Sequence, residues 1–409
     1  MSNKAKPSPL ALLGGEPVRG AGKTWPTWPV FDDSERQALL GVLETGKWFY
    51  GDHVAAFEEE YAAFQGAGQC VTVNSGTAAA EVVLQALGIG PGDEVIVPPY
   101  TFIATASAVA RVGATPVFAD LDDTWCIDPD AVAAAVTPRT KAIMPVHFGG
   151  RICDMDRLND IAADRGLPII EDACHCWGGR WVGRGAGTLG VCGIFSFQVS
   201  KNITAGEGGA IVTDDPALAA RCRSITNCGR GGKELPWYHH INLGTNARMT
   251  EFQAALLRCQ LKRLGEQTLL RERNAAILNN ELEKIGGLEP QPKSNRITRR
   301  AYHLYCLRIN EAEFGCSRAQ FAAAANAEGW PVGPGYPLPL YEQPVFKNWP
   351  GGIYNNCRCP VAEDLCRRSG LWMTHEKLLA TEQDMWDIVE AAKKIKENAA
   401  ALSAWTPEA

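Results

Sequence analysis

The segment Ser196-Phe197-Gln198-Val199-Ser200-Lys201-Asn202-Ile203-Thr204-Ala205-Gly206-Glu207-Gly208-Gly209 sets one lysine behind an apolar run and inside a loop of polar and glycine residues. Taken alone, such a lysine reads as solvent-facing, as most lysines are. Partly withdrawn from water it has a lowered pKa and can form a Schiff base with a carbonyl. Three other segments carry matching chemistry. Asn74-Ser75-Gly76-Thr77 follows CVTV and leads into a helical stretch. Its first-turn N–H groups, approached closely at Gly76, suit a phosphate, though a plain cap by Ser75 explains the residues equally. Tyr100-Thr101-Phe102 follows EVIVPP and offers either a stacking ring or core packing. Asp172 closes LPIIED, where a carboxylate can also simply cap the next element. An amine, an anion cradle, an aromatic face and a strand-end carboxylate are together what pyridoxal phosphate requires.

The elements that must position these residues are legible from residue 70 onward. CVTV (70–73), EVIVPP (94–99), TPVFAD (115–120), AIMPVH (142–147), LPIIEDA (167–173), CGIFSF (192–197) and GAIVTDD (209–215) are short Val/Ile-rich runs separated mostly by helical stretches. This alternation predicts an α/β fold of three layers, with a mixed, mostly parallel sheet covered by helices on both faces. Ligands bind such sheets outside the carboxyl ends of the strands, where the four segments fall. Asp32-Asp33-Ser34 predicts a cap for a helix over Ala38–Leu43. A long helix is expected from Thr250–Glu251 to about Leu282, then a strand over 301–309 and helices around 317–328 and 382–402. The organisation expected is an N-terminal arm (1–30), a large α/β domain (31–265) and a small C-terminal α+β domain (266–409).

Composition narrows the function classes. Forty basic and 46 acidic residues leave a net charge of −6 over 409 residues. No long Lys/Arg block exists, so nucleic acid is not expected as a partner; the scatter Arg221, Arg223, Arg230 and Lys233 reads as solvated loop charge. The uncharged, apolar stretch Val95–Ala110 contains Pro98 and Pro99 and is too short for a membrane span. The 14 cysteines show no framework spacing, and the N-terminal apolar run is short for a secretory signal, so reduced thiols in a cytoplasmic protein are expected. Cys174/Cys176 and Cys357/Cys359 are spaced too closely for the usual zinc pairs, and no metal is expected. Glycine stands out: 13 of the 41 in the chain lie between Gly178 and Gly232. They bracket Lys201 and are expected to let backbone approach a flat, phosphorylated ring.

EDACH, SFQVSKNITAGEGG and GTNARMTEFQAALL resemble signatures of the DegT/DnrJ/StrS family of sugar aminotransferases. The likeness spans nearly the whole chain and is densest between residues 70 and 260. It implies the fold type I architecture of pyridoxal-phosphate enzymes and a ping-pong reaction. An amino group would pass from L-glutamate or L-glutamine, through the pyridoxamine form, to a ketone of a keto-sugar or keto-cyclitol. Carried over by position, Lys201 would hold the cofactor as an aldimine and shuttle protons, and Asp172 would pair with the protonated ring nitrogen. Phe102 would pack on the ring, and His175 would lie near its 3′ oxygen. Gly76, Thr77 and Ser196 would bind the phosphate, joined by Asn246 from the neighbouring subunit of a homodimer. Arg248 and Tyr341 fall at substrate positions. Gln198, where many members acting on nucleotide-linked sugars carry His, looks like the subgroup handling cyclitols and aminohydroxybenzoate precursors.

Competing readings remain on the same residues. A dehydratase of this family carries His in place of the lysine, so Lys201 speaks against one; an aromatising synthase keeps Lys and also reads SFQ. A non-catalytic ligand sensor would have little use for Lys201, Asp172 and Ser196 together. His147 suits a satisfied core histidine better than a site residue. His239–His240 and Trp48-Phe49-Tyr50 fit a substrate wall or exposed loop and arm packing equally.

Overall fold

The computed structural model describes residues 8–406 except Lys233. The N-terminal residues 1–7 of the expected arm and Lys233 of the basic scatter lie outside the described residues. Seven strands form the central sheet: β1 (Gln69–Val73), β2 (Glu94–Val97), β3 (Thr115–Phe118), β4 (Thr140–Ile143), β5 (Ile170–Asp172), β6 (Cys192–Ser196) and β7 (Gly209–Thr213). Their order is β3-β2-β4-β5-β6-β7-β1; the bridges Ile143–Ile169 and Val146–Asp172 join the two halves across β4 and β5. β7 alone runs against its neighbours, antiparallel to both β1 and β6.

Both faces of this sheet are dry, which is why its strands read as unbroken apolar runs. Val71, Val95, Val97, Ile170, Ile194 and Ile211 pack on one side against the helix Gly76–Ala86 and its neighbours. Cys70, Ile96, Ile169, Phe195 and Val212 pack on the other against Phe57, Tyr61, Leu158 and Leu257. Alternate residues of one strand thus serve opposite cores, each large side chain worth ~2 kcal/mol of burial.

The helix Glu251–Leu282 runs 32 residues without interruption, held at its start by a Thr250/Gln253 capping box. Residue 265, where the domain division was expected, falls inside it. Its first half adds Leu257 and Leu264 to the sheet's core. Ala275, Leu278 and Leu282 belong instead to a C-terminal core built on the antiparallel strands β8 (Leu288–Pro290), β9 (Leu304–Ile309), β10 (Gly333–Pro334) and β11 (Gly370–Thr374). The N-terminal arm crosses to this layer: Leu10 is buried in the C-terminal core, and Arg19 pairs with Asp384 and Asp387. The expected cap at Asp32 is a capping box with Glu35, which is buried where Gln260 and Arg263 of the long helix donate to it.

Part of the glycine cluster serves backbone packing. A Cβ on Gly185 would sit 1.8 Å from the Gln65 carbonyl oxygen, one on Gly190 2.4 Å from that of Ile169, and one on Gly193 2.1 Å from the Gly187 Cα. These glycines let one backbone pack on another below the site. Of the glycines, Gly76 is the one that lines the cavity described next.

Candidate active site

At the carboxyl ends of β1, β2, β5 and β6 the sheet opens into a cavity of about 640 Å³, closed on its far side by His303, Leu304, Tyr336, Trp372 and Thr374 of the C-terminal layer. Gly76, Thr77, Phe102, Asp172, His175, Ser196, Gln198 and Lys201 all face this one space. They come from strand ends as far apart in the chain as Val73 and Ser196, brought together by the strand order.

Each is held by its local fold. Ser75 caps the helix Gly76–Ala86 by accepting from the Ala78 N–H at 3.1 Å, leaving the first-turn N–H groups of Gly76 and Thr77 without intrahelical partners. The cap at Ser75 is thus present, and it leaves those two N–H groups available to an anion. A Cβ on Gly76 would lie 2.8 Å from the Ser196 Cβ, so only glycine lets this helix end meet β6. Asp172 is buried; its Oδ2 accepts from the Thr105 hydroxyl at 2.8 Å and its Oδ1 from the Cys174 N–H at 3.2 Å. His175 Nδ1 accepts from the Gly149 N–H at 3.4 Å, which places its ring proton on Nε2. Gln198 folds back so that its Oε1 accepts from the Ser200 N–H and hydroxyl, tightening the loop that presents Lys201. Phe102 remains 58% exposed, an unpacked ring at the mouth rather than a core residue.

Burial pushes the Lys201 pKa down, with Cys174 and Asp172 partly offsetting it. Burial, and Lys201 beside it, hold His175 well below the usual imidazole range, so it is neutral. An amine with a lowered pKa, near a carboxylate and beside free helix N–H groups, has the chemistry to capture a carbonyl and seat an anion. These residues fit pyridoxal phosphate: amine, carboxylate, anion seat and exposed ring line one cavity large enough for the cofactor and a small substrate.

Three expected residues lie elsewhere. Asn246 is exposed, on the segment that carries Trp237, Tyr238 and Leu243 into solvent, and it does not line its own chain's cavity. Arg248 donates to Asn227 Oδ1 at 3.0 Å and lies 5.3 Å over the Phe49 ring, outside the cavity wall. Tyr341 is buried away from Lys201; its hydroxyl donates to Glu363 at 2.6 Å and accepts from the Cys359 N–H, beside a separate cavity. Its place after Pro–Leu does not carry it to the Lys201 cavity, because that turn packs on Phe118 and the Cys359 segment. His147 is a core residue: fully buried, it pairs with Glu171 at 2.8 Å. His240 bonds the Cys228 carbonyl on an exposed loop, and Trp48, Phe49 and Tyr50 are all exposed.

Reasoning from sequence missed Thr105, His303, Tyr336 and Trp372. Thr105 lies one turn beyond Phe102 at the start of a helix, a position that the strand-end rule could have flagged. His303 is the third residue of the alternating AYHLYCLRI run. Tyr336 and Trp372 come from distant segments with no pattern pointing to the site.

The DegT/DnrJ/EryC1/StrS aminotransferase family matches residues 29–392. The chain is 40% identical over 372 residues to a 3-amino-5-hydroxybenzoate synthase of Amycolatopsis mediterranei (strain S699), covering 88% of this chain and 94% of that protein. It is 39% identical over 426 residues to an L-glutamine:2-deoxy-scyllo-inosose aminotransferase of Streptomyces kanamyceticus, covering 97% and 99%. The crystal structure of a 3-amino-5-hydroxybenzoic acid synthase superposes with a TM-score of 0.84 at 38% identity, covering 92% of this chain and 99% of that one. The architecture is accordingly that of the fold type I pyridoxal-phosphate transferases. With a match over most of its length and relatives near 40% identity, the chain belongs to the DegT/DnrJ/EryC1/StrS aminotransferase family.

Proposed function

We propose that this aminotransferase binds pyridoxal phosphate at Lys201 and moves an amino group from L-glutamine to the ketone of a free keto-cyclitol. One observation carries the acceptor class: among the described residues lining the cavity, Lys201 is the sole lysine or arginine. A nucleotide-linked sugar would bring a diphosphate, which calls for further cations or anion seats. A cyclitol brings hydroxyls, for which Thr101, Gln198, Tyr336 and Thr374 supply partners. The scyllo-inosose relative supports the same reading.

When bound, pyridoxal phosphate supplies the electron sink and carries the amino group between half-reactions. The chain's own residues do the rest. The Gly76 and Thr77 N–H groups and Ser196 hold the phosphate at the helix N-terminus. Asp172, oriented by Thr105 and Cys174, keeps a proton on the ring nitrogen. Lys201 Nζ, its pKa lowered by burial, takes a proton from the donor's α-carbon and gives it back to the carbon two atoms away. The C-terminal wall of Tyr336 and Trp372 keeps water off the reacting carbon.

The exposed Asn246 supports a shared site, in which it reaches the phosphate of a second copy. Inactive Lys201→Met and Asn246→Ala proteins, mixed after unfolding, should then recover activity in mixed dimers; no recovery rejects the shared site.

The experiment for the whole reading supplies the pyridoxamine-loaded protein with 2-deoxy-scyllo-inosose or with nucleotide-linked keto-sugars and follows the cofactor's spectrum. Return of the pyridoxal spectrum with the cyclitol alone is expected. Return only with nucleotide-linked sugars overturns the acceptor class. A second reading, an aromatising synthase, draws on the 40% relative; a benzoate product formed from an aminated cyclohexenone acid, without consumption of L-glutamine, would favour it.

A further inference from the structure

Lys201 sits between two residues that are each gripped from the C-terminal layer. The Ser200 carbonyl meets His375 Nε2 at 3.0 Å, and His375 Nδ1 meets Arg271 Nη2 at 3.1 Å. A guanidinium has donors only, so Nδ1 accepts and the imidazole proton sits on Nε2, pointing at Ser200. On the other side, Asn202 Nδ2 donates to the Ala301 carbonyl at 3.0 Å. That leaves Asn202 Oδ1 to accept from His303 Nδ1, also at 3.0 Å. Both tautomers are thus set by their neighbours.

The block is dry and close-packed. Asn202, Arg271, His303 and His375 are all buried. The His303 ring lies 4.3 Å from His175 and 5.6 Å from His375, and Trp28 meets His375 edge-on at 4.5 Å. Burial together with His175, Lys201, His375 and Arg271 keeps His303 well below the usual imidazole range. Burial with Arg271, Lys201 and Lys377 does the same for His375. Both stay neutral, so these bonds persist through the neutral pH range.

Arg271 is the costly member. It is fully buried, burial lowers its pKa to about 9, and among the described residues its Nε and Nη1 find no partner. A cation so placed is costly to desolvate. Its one side-chain hydrogen bond goes to His375, so what it secures is that residue's tautomer.

We propose that His375 and His303, with Arg271 behind them, are positioning residues for Lys201: they grip Ser200 and Asn202 from the C-terminal layer and so set the direction of the Lys201 amine. Neither touches the reaction through its own charge; each acts through the backbone or carboxamide next to the lysine. The inference rests on Lys201 being the cofactor's lysine.

The test compares His375→Gln, whose amide can still donate to Ser200 and accept from Arg271, with His375→Leu, which can do neither. Two rates are measured on the cofactor-free protein, with the melting midpoint as the check on folding. One is the growth of visible absorbance when pyridoxal phosphate is added without an amino donor. The other is acetylation of Lys201 by acetic anhydride, read by peptide mass. His375→Leu should slow both about tenfold, and His375→Gln should restore both to within about threefold. Wild-type rates in His375→Leu, or a glutamine variant as slow as the leucine one, overturn the proposal. Should His375→Leu not fold, Arg271→Met decides, since losing the donor that sets the tautomer must slow both rates at least about threefold. A wild-type protein that develops no absorbance rejects the cofactor reading, while the acetylation arm, which needs no cofactor, still judges this one.

Discussion

The Thr105 hydroxyl donates to Asp172 Oδ2 at 2.8 Å, and both side chains are buried at the end of β5. The same carboxylate takes the Cys174 N–H on its other oxygen, so its plane is set from two sides before any ligand arrives. Thr105 is in turn 3.2 Å from the Thr101 hydroxyl, which ties the carboxylate to the β2 end of the cavity.

Replacing Thr105 by Val keeps the shape and removes one hydrogen bond. We expect kcat to fall about tenfold, or ~1.4 kcal/mol, with the melting temperature little changed. Asp172→Asn removes the charge as well and should cost more than Thr105→Val by at least a further factor of about ten. Steady-state kinetics on both variants check this; equal losses would mean that orientation, not charge, is what Asp172 contributes.

Lys201→Met should abolish turnover and at the same time stabilise the cofactor-free protein near neutral pH. Burial lowers the folded-state pKa of Lys201 below its unfolded value, so the unfolded chain binds more protons and the lysine destabilises the fold below its folded pKa. The advantage of Lys201→Met should therefore be larger at pH 7 than at pH 10, shrinking as pH rises from the folded pKa toward that of a free lysine. Melting curves at pH 7 and pH 10 check the sign.

Gly76→Ala brings a methyl to within 2.8 Å of the Ser196 Cβ, at the joint between the anion seat and β6. The expected result is weaker binding of pyridoxal phosphate, about tenfold in Kd, with the loss concentrated in cofactor affinity. Equilibrium titration of the cofactor-free protein measures it.

Glu171 is a structural residue beside Asp172, the residue proposed to hold the ring nitrogen's proton. Its carboxylate accepts from His147 and from the Gly187, Leu189 and Gly190 N–H groups, with no exposure to solvent. Glu171→Ala should cost about 3 kcal/mol or more, since it strands several buried donors. Chemical denaturation tests this, and full stability in the variant would show that water replaces the carboxylate.

Tyr341→Phe should leave kcat and KM near wild type while lowering stability by about 1 kcal/mol, because the hydroxyl is spent on Glu363 and Cys359. A raised KM for the acceptor would return Tyr341 to the substrate site.

Much of this protein is legible along the chain because the information is local. Strands β1 to β7 fall on the seven Val/Ile runs, since a sheet dry on both faces leaves no polar alternation to confuse them. The chemical segment around Lys201 and the strand-end positions of Gly76, Phe102 and Asp172 were also readable, because a strand's carboxyl end in an α/β sheet is a predictable place. What the chain could not show is which side chains meet across long separations. Thr105 reaches Asp172 only because β2 and β5 flank β4, and His375 reaches Ser200 only because the long helix brings the C-terminal layer against the lysine loop. Tyr341 passed for a site residue by its neighbours in sequence, yet packing turned its hydroxyl to Glu363. Among the glycines between 178 and 232, Gly185, Gly190 and Gly193 record backbones pressed together, a contact between strands and loops that no single segment reveals.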